Sequence, residues 1–131
     1  MGNAMLHDTV VHGGTKTVLL NIETWGALND VPIVQADISA IAYSIYDASE
    51  AEWQPVAGHQ DQAVTVADCV FNTPQVDSRW TKDATGYNFR HTPPVGSAPP
   101  FPEPDRDYRV YYTFTPADGE PFVLGVGLRS I

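Results

Sequence analysis

Residues 108–131 read YRVYYTFTPADGEPFVLGVGLRSI and contain two runs in which every second residue is large and apolar or aromatic. These large residues are Val110, Tyr112, Phe114, Phe122, Leu124, Val126 and Leu128. Because successive side chains of a strand point to opposite sides, the alternation predicts strands with one face on a core and the other toward solvent or a partner. Asp118-Gly119 lies between the runs and is a strong hairpin signal. The stretch therefore predicts an antiparallel β-hairpin.

The same period of two recurs upstream, with turn-forming residues between the runs and no long helical pattern. The further predicted strands lie in TKTVLLNIET (15–24), DISAIAYSIYD (37–47), AVTVADCVF (63–71) and GYNFRH (86–91). In the third of these, Val64 and Val66 are expected to lie together on one side. β-branched and aromatic residues, which favour strands, are abundant in all of them. We expect an all-β fold, an immunoglobulin-like antiparallel β-sandwich of about seven strands.

One short helix is predicted in NTPQVDSRWTKD, residues 72–83. Thr73 is a suitable N-cap and Pro74 suits the first helical position. Val76 and Trp80 are four residues apart and would share one helical face. We expect one to two turns that cross an end of the sandwich, with Trp80 closing that end.

The chain has 131 residues, enough for one domain with a substantial core and too few for two. The alternating pattern leads us to place a single β-sandwich domain at residues 15–131. Residues 1–14 carry two adjacent glycines and no clear period, and we expect them to form a flexible N-terminal segment.

The net charge of −9 makes phosphate backbones poor partners, and the basic residues are interleaved with acidic ones. We therefore expect no nucleic-acid partner. No apolar run approaches the roughly 20 residues that span a bilayer, and the start of the sequence lacks the regions of a secretory signal. We expect no membrane association and synthesis in a cytoplasm.

Patterns that would indicate catalysis or metal binding are missing from the sequence. The single cysteine, Cys69, can form neither an internal disulfide nor a thiolate cluster and is expected to be buried and inert. Of the four histidines only His7 and His12 have a spacing that could suit a metal, and they lie in the segment expected to be flexible, so that a zinc site would have to be assembled from distant residues. No phosphate loop or nucleophile elbow is present. We predict a protein that is not an enzyme, with no catalytic residue, cofactor or metal site. Glu103, Asp105 and Asp107 leave a calcium site open as an alternative to a solvated loop.

The proline-rich segment at residues 93–104 cannot be a central strand, because proline lacks the amide hydrogen that a ladder requires. Two interpretations remain open. The segment is a surface connection between strands, or it is an extended arm that lies against a neighbouring subunit. In the second case Pro99, Pro100, Phe101 and Pro102 would make the contact.

Two further features suggest contact surfaces. Trp25 and Trp53 lie in predicted loops, where they could meet a partner or stack on a sugar. Gly125 and Gly127 fall on one face of the last strand, where glycine is kept when another backbone comes close. That backbone belongs either to another protein or to the neighbouring sheet of the same domain.

The order of DISAIAYSIYD, VTVADCVFNTPQVDSRWTKDATGYNFRH and DRDYRVYYTFTPADGEPFVL resembles the immunoglobulin-like modules of tailed-phage virion proteins, such as the N-terminal modules of baseplate upper proteins. The similarity covers roughly residues 15–128 and consists of strands and turns. It implies a structural part of a phage head (capsid), neck, tail or baseplate, located in the virion, that binds copies of itself and other particle proteins. The alternative function is a carbohydrate- or calcium-binding β-sandwich module that uses Trp25, Trp53 and the 103–107 loop.

Overall fold

The long strands of the fold are those that the alternating sequence runs predict. A computed structural model describes residues 6–22, 33–80, 86–96 and 98–131. Its strands are β1 (Leu6–Val10), β2 (Val18–Leu20), β3 (Ile38–Asp47), β4 (Gln54–Pro55), β5 (Gln62–Val64), β6 (Val70–Gln75), β7 (Tyr87–His91), β8 (Asp107–Pro116) and β9 (Phe122–Ser130). A single 3-10 turn at Gln35–Asp37 and one short helix, α1 (Val66–Cys69), complete the described elements.

The strands form two sheets. The large sheet has the order β1-β9-β8-β3-β4, and β5 also pairs with β3. The small sheet has the order β2-β7-β6. The predicted β-sandwich with one short helix is confirmed. Nine strands are described instead of about seven, because β4 and β5 are only two and three residues long and β1 was not expected.

The predicted hairpin joins β8 to β9, with Asp118-Gly119 in the connection. On its other side β8 pairs with β3, so that Ile41 lies opposite Phe114 and Tyr43 opposite Tyr112. All four side chains are buried, and they face the small sheet. The alternation in the sequence therefore places the core side of the large sheet correctly.

Aromatic side chains fill the space between the two sheets. Phe89 of the small sheet meets Tyr112 and Phe114 of the large sheet edge-on, with ring centroids 4.9 and 5.4 Å apart. All three side chains are completely buried. Edge-to-face pairs add to the roughly 1.5–3 kcal/mol that burying each large apolar side chain contributes.

The predicted helix at residues 72–83 is wrong for the part of that range that is described. Thr73 and Pro74 belong to β6, at the edge of the small sheet, where proline is tolerated because its nitrogen need not donate. The helix is instead α1, inside the stretch predicted as one strand around Val64 and Val66. It forms there because the chain must pass from β5 in the large sheet to β6 in the small one. Trp80 is nevertheless buried, as predicted.

The domain also begins earlier than residue 15. Residues 6–10, predicted as part of a flexible segment, form β1, which pairs with β9 in parallel from Leu6↔Val126 to Val10↔Ser130. Val10 is buried in the core. A parallel pair has no tight turn between its strands, so the sequence carries no local signal for it.

Candidate interaction surface

The side of the large sheet that points away from the small sheet carries mostly small residues. The register places Ala42, Thr113 and Val123 in one row across β3, β8 and β9. We call this side of the three strands the outer face. Its residues are Ala40, Ala42, Ser44, Tyr46, Arg109, Tyr111, Thr113, Thr115, Val123, Gly125, Gly127 and Arg129. Small side chains leave most of this face flat.

One raised feature stands on the outer face. Trp53, which precedes β4, stacks on Tyr111 of β8, with ring centroids 6.0 Å apart and an interplanar angle of 20°. Tyr46 of β3 contacts both rings, at 6.3 Å from Trp53 and 6.2 Å from Tyr111. Trp53 is 41% exposed although it packs against two rings. We call Tyr46, Trp53, Tyr111 and the adjoining Arg109 the aromatic cluster.

Arg109 adds a positive charge to the aromatic cluster. Its guanidinium lies over the Trp53 ring, 5.9 Å from the centroid, and its NH1 group donates to the Tyr108 carbonyl oxygen at 3.2 Å. Arg79, Arg106 and Arg129 all pair with carboxylates, whereas within the described part of the chain Arg109 has none. Its charge therefore remains available to a ligand or partner.

Gly125 and Gly127 lie beside the aromatic cluster. Gly125 is the register partner of Tyr111, and Gly127 is the register partner of Arg109. Because Val126 and Leu128 point into the core, both glycines belong to the outer face. Of the two alternatives, a close approach of the domain's own small sheet does not fit this placement. Gly127 is buried and Gly125 is half-buried, so Gly125 alone offers accessible backbone next to the aromatic rings.

The proline-rich segment lies against its own domain. Phe101 is 0% exposed and Pro100 is buried, while Pro99 and Pro102 are half-buried. His59 Nε2 donates to the Ala98 carbonyl oxygen at 2.8 Å, which fixes the middle of the segment. The expectation that Phe101 offers a contact surface is therefore corrected, because its side chain fills the core. The placement agrees with a surface connection between β7 and β8.

In the acidic loop at residues 103–107, Arg106 pairs with carboxylates outside the loop, and Asp107 pairs with Arg129 of β9. Arg106 Nε lies 2.8 Å from Asp47 Oδ2, and Arg129 pairs with Asp107 at 3.2 Å. Partial burial of Asp47 opposes its ionisation, but hydrogen bonds from Arg106 and Ser49 lower its pKa overall. No group of three or more His, Cys, Asp or Glu in the described residues is arranged to hold a metal ion. The loop therefore gives no support to calcium binding.

One buried histidine, His91, joins the two sheets, and another, His59, joins the large sheet to the proline-rich segment. His59 Nε2 donates to the Ala98 carbonyl oxygen at 2.8 Å, and its Nδ1 lies 2.9 Å from the Tyr43 hydroxyl. His91 Nδ1 lies 2.9 Å from the Tyr112 hydroxyl. Burial lowers the pKa of His91 to about 4 and raises that of Tyr112 well above its usual value. At neutral pH the side chains of His91 and Tyr112 are therefore uncharged and form a hydrogen-bonded pair in the core.

The sequence-predicted contact residues are thus only partly brought together. Trp53, Gly125 and Gly127 meet on the outer face, while the prolines do not join them. Trp25 lies outside the described residues. Sequence reasoning missed Tyr46 and Tyr111, although a large aromatic residue on the solvent side of an alternating strand was the available signal.

Comparisons with protein-family models, curated proteins and solved structures found no match to this chain. Within the described residues, no helix has the length and apolar character needed to cross a membrane.

Proposed function

We propose that this chain is a non-enzymatic assembly module that acts through protein–protein contacts as a structural component of a tailed-phage particle. Its partners are copies of itself and other proteins of the particle. The module is immunoglobulin-like, is made in the host cytoplasm and ends in the virion. The resemblance of the strand and turn pattern to phage virion modules supports this setting.

The observation that carries the proposed protein contact is the aromatic cluster beside the half-buried Gly125. Trp, Tyr and Arg are the residues that most often dominate the binding energy of protein interfaces. Here they form one group on a sheet face that is otherwise flat. A partner backbone can approach the half-buried Gly125 closely, while Trp53 and Arg109 meet its side chains.

The test compares Trp53→Ala and Gly125→Thr with Val76→Ala. Val76 is 61% exposed and lies outside the outer face, so it controls for loss of exposed apolar surface. Sedimentation velocity over a wide concentration range measures self-association. We expect both outer-face variants to weaken association about tenfold or more, as loss of an interface anchor does, and the control to leave it unchanged.

A second experiment tests whether the chain is a component of a phage particle. Phage particles are purified from a strain whose genome or prophage encodes this chain. Mass spectrometry of these particles is expected to detect the chain at a constant ratio to the other structural proteins. A native chain that stays monomeric at every concentration and is absent from particles would contradict the proposal.

Carbohydrate binding is the second candidate, favoured by the exposure of Trp53. A tryptophan ring that is 41% exposed can stack on a sugar. Calorimetric titration with a glycan panel separates the two candidates. Binding that disappears in Trp53→Ala, from a chain that does not self-associate, would favour the sugar-binding function.

A further inference from the structure

β1 and β2 follow each other in the chain but lie in different sheets. β1 forms the edge of the large sheet and β2 an edge of the small one. Residues 11–17 cross from one sheet to the other. The ladder of β1 is entirely with β9 and runs from Leu6↔Val126 to Val10↔Ser130. The first strand is therefore held by the last strand and not by its neighbour in sequence.

The contact with β9 continues beyond the ladder. The Ile131 backbone N–H donates to the Val10 carbonyl oxygen at 2.9 Å. His12 donates twice to the Ile131 carbonyl oxygen, from its backbone nitrogen at 3.1 Å and from Nδ1 at 2.9 Å. Residues 6–12, which we call the N-terminal arm, are thus bound as one unit to residues 126–131.

Residues 15 and 17, which follow the N-terminal arm, are hydrogen-bonded to residues 92 and 93, which follow β7, and not to β9. Thr15 Oγ1 donates to the Pro93 carbonyl oxygen at 2.6 Å, and the hydroxyls of Thr17 and Thr92 lie 2.7 Å apart. Gly13 and Gly14 lie between these two sets of bonds. Gly13 has a φ of +79°, and a Cβ built there would have no atom within 4 Å. Gly14 is more confined, because a Cβ built there would lie 3.2 Å from the Val11 carbonyl oxygen. Gly13, in open space and with a positive φ, therefore gives this point the freedom of a hinge.

We infer that the N-terminal arm exchanges between two copies of this chain, so that residues 6–12 of each copy pair with β9 of the other. The exchange re-forms the ladder and the bonds of Val10 and His12 with an identical β9. The hydrogen bonds that it breaks lie in the turn itself, from Gly13 N to the Phe101 carbonyl oxygen and from Gly14 N to the Val11 carbonyl oxygen. Reciprocal exchange of identical elements closes a two-fold dimer at low cost.

This inference deepens the proposed assembly role and rests on it for its setting, since copies held close together in a particle exchange most readily. It uses the pairing of β1 with β9 at the edge of the large sheet and not the aromatic cluster. Different variants therefore test the two proposals.

The test is a disulfide that can form only between copies. Thr9 and Arg129 are exposed register partners of β1 and β9. One version of the full chain carries Thr9→Cys and a second, differently tagged version carries Arg129→Cys. The two are unfolded in urea, refolded together under reducing conditions at high protein concentration, and then oxidised. Non-reducing gel electrophoresis measures the mixed dimer.

Arm exchange predicts a mixed disulfide dimer whose yield rises with protein concentration during refolding. The control replaces the second version with Thr115→Cys, which is exposed on the outer face and is not a partner of β1. We expect the control to give several-fold less mixed dimer. A yield no higher than that of the control would overturn the exchange. Trp53→Ala in both versions is expected to leave the yield unchanged, so failure of the outer-face proposal is seen separately.

Discussion

The ring of Phe101 meets the ring of Tyr108 edge-on, with centroids 5.4 Å apart and an interplanar angle of 65°. Both side chains are completely buried. The Tyr108 hydroxyl also accepts a hydrogen bond from the Glu103 backbone nitrogen at 3.0 Å. This contact attaches a segment that contains many prolines to the first residues of β8, and it explains why the segment lies on the domain.

Replacing Phe101 with alanine tests this attachment. Phe101→Ala is expected to lower the free energy of unfolding by about 3–5 kcal/mol, because it leaves a cavity where a buried aromatic ring was. Urea denaturation followed by tryptophan fluorescence measures the change. Val95→Ala is the control, since Val95 is 41% exposed in the same segment and its loss should change stability by less than about 0.5 kcal/mol. Equal effects of the two variants would show that the segment is not attached through Phe101.

The stability of the domain should fall in mild acid because of His91. Burial lowers the pKa of this side chain to about 4 from its usual 6.5, so the unfolded chain binds the proton more readily than the folded one. The loss of stability therefore begins as the pH falls below about 6.5 and is complete below about 4. Its full size is on the order of a few kcal/mol.

Carboxylates also titrate in this range, so the measurement is a difference. The free energy of unfolding is determined by urea denaturation at several pH values for the native chain and for His91→Gln, whose amide does not titrate. We expect the native chain to lose more stability than the variant between neutral pH and pH 4.5. If the free energy of unfolding changed with pH equally in the native chain and in His91→Gln, His91 would bind a proton as readily in the folded state as in the unfolded state, which would contradict the prediction.

The thiol of Cys69 should be unreactive in the folded protein. Burial, reinforced by the neighbouring Asp68 carboxylate, raises its pKa to about 11. Because the thiolate is the nucleophile, a disulfide reagent such as Ellman's reagent is expected to give no reaction at pH 8 in buffer and one equivalent of reaction in urea. Rapid labelling of the native chain would mean that α1 and the start of β6 open readily.

Much of the fold could be predicted from the sequence, because strand alternation is a local property. The runs around Tyr43, Phe89, Tyr112 and Val126 each specify a core side without reference to any other run. The Asp118-Gly119 turn specifies one pairing, between β8 and β9. Where a prediction was wrong, at Thr73 and Pro74, a local helix-start signal was overridden by the position of β6 at a sheet edge.

The candidate interaction surface could not be predicted in the same way, because it depends on which distant strands pair. Trp53 was recognised as a contact residue, and Gly125 and Gly127 were recognised separately. Their meeting depends on the register of β3, β8 and β9, which brings Tyr46, Arg109 and Gly127 into one row. Pairing between distant strands leaves no local trace in composition or spacing.

By itself, the sequence determined that this chain forms a β-sandwich and which side of each long strand faces its core, because a period of two is a property of consecutive residues. Only the tertiary structure decided that β1 is the edge strand beside β9 and that Phe101 lies in the core and not on the surface. It also decided that Arg109 lies among three exposed or half-exposed aromatic rings. Each of these depends on which distant backbone lies alongside, and that is set by the packing of the whole domain.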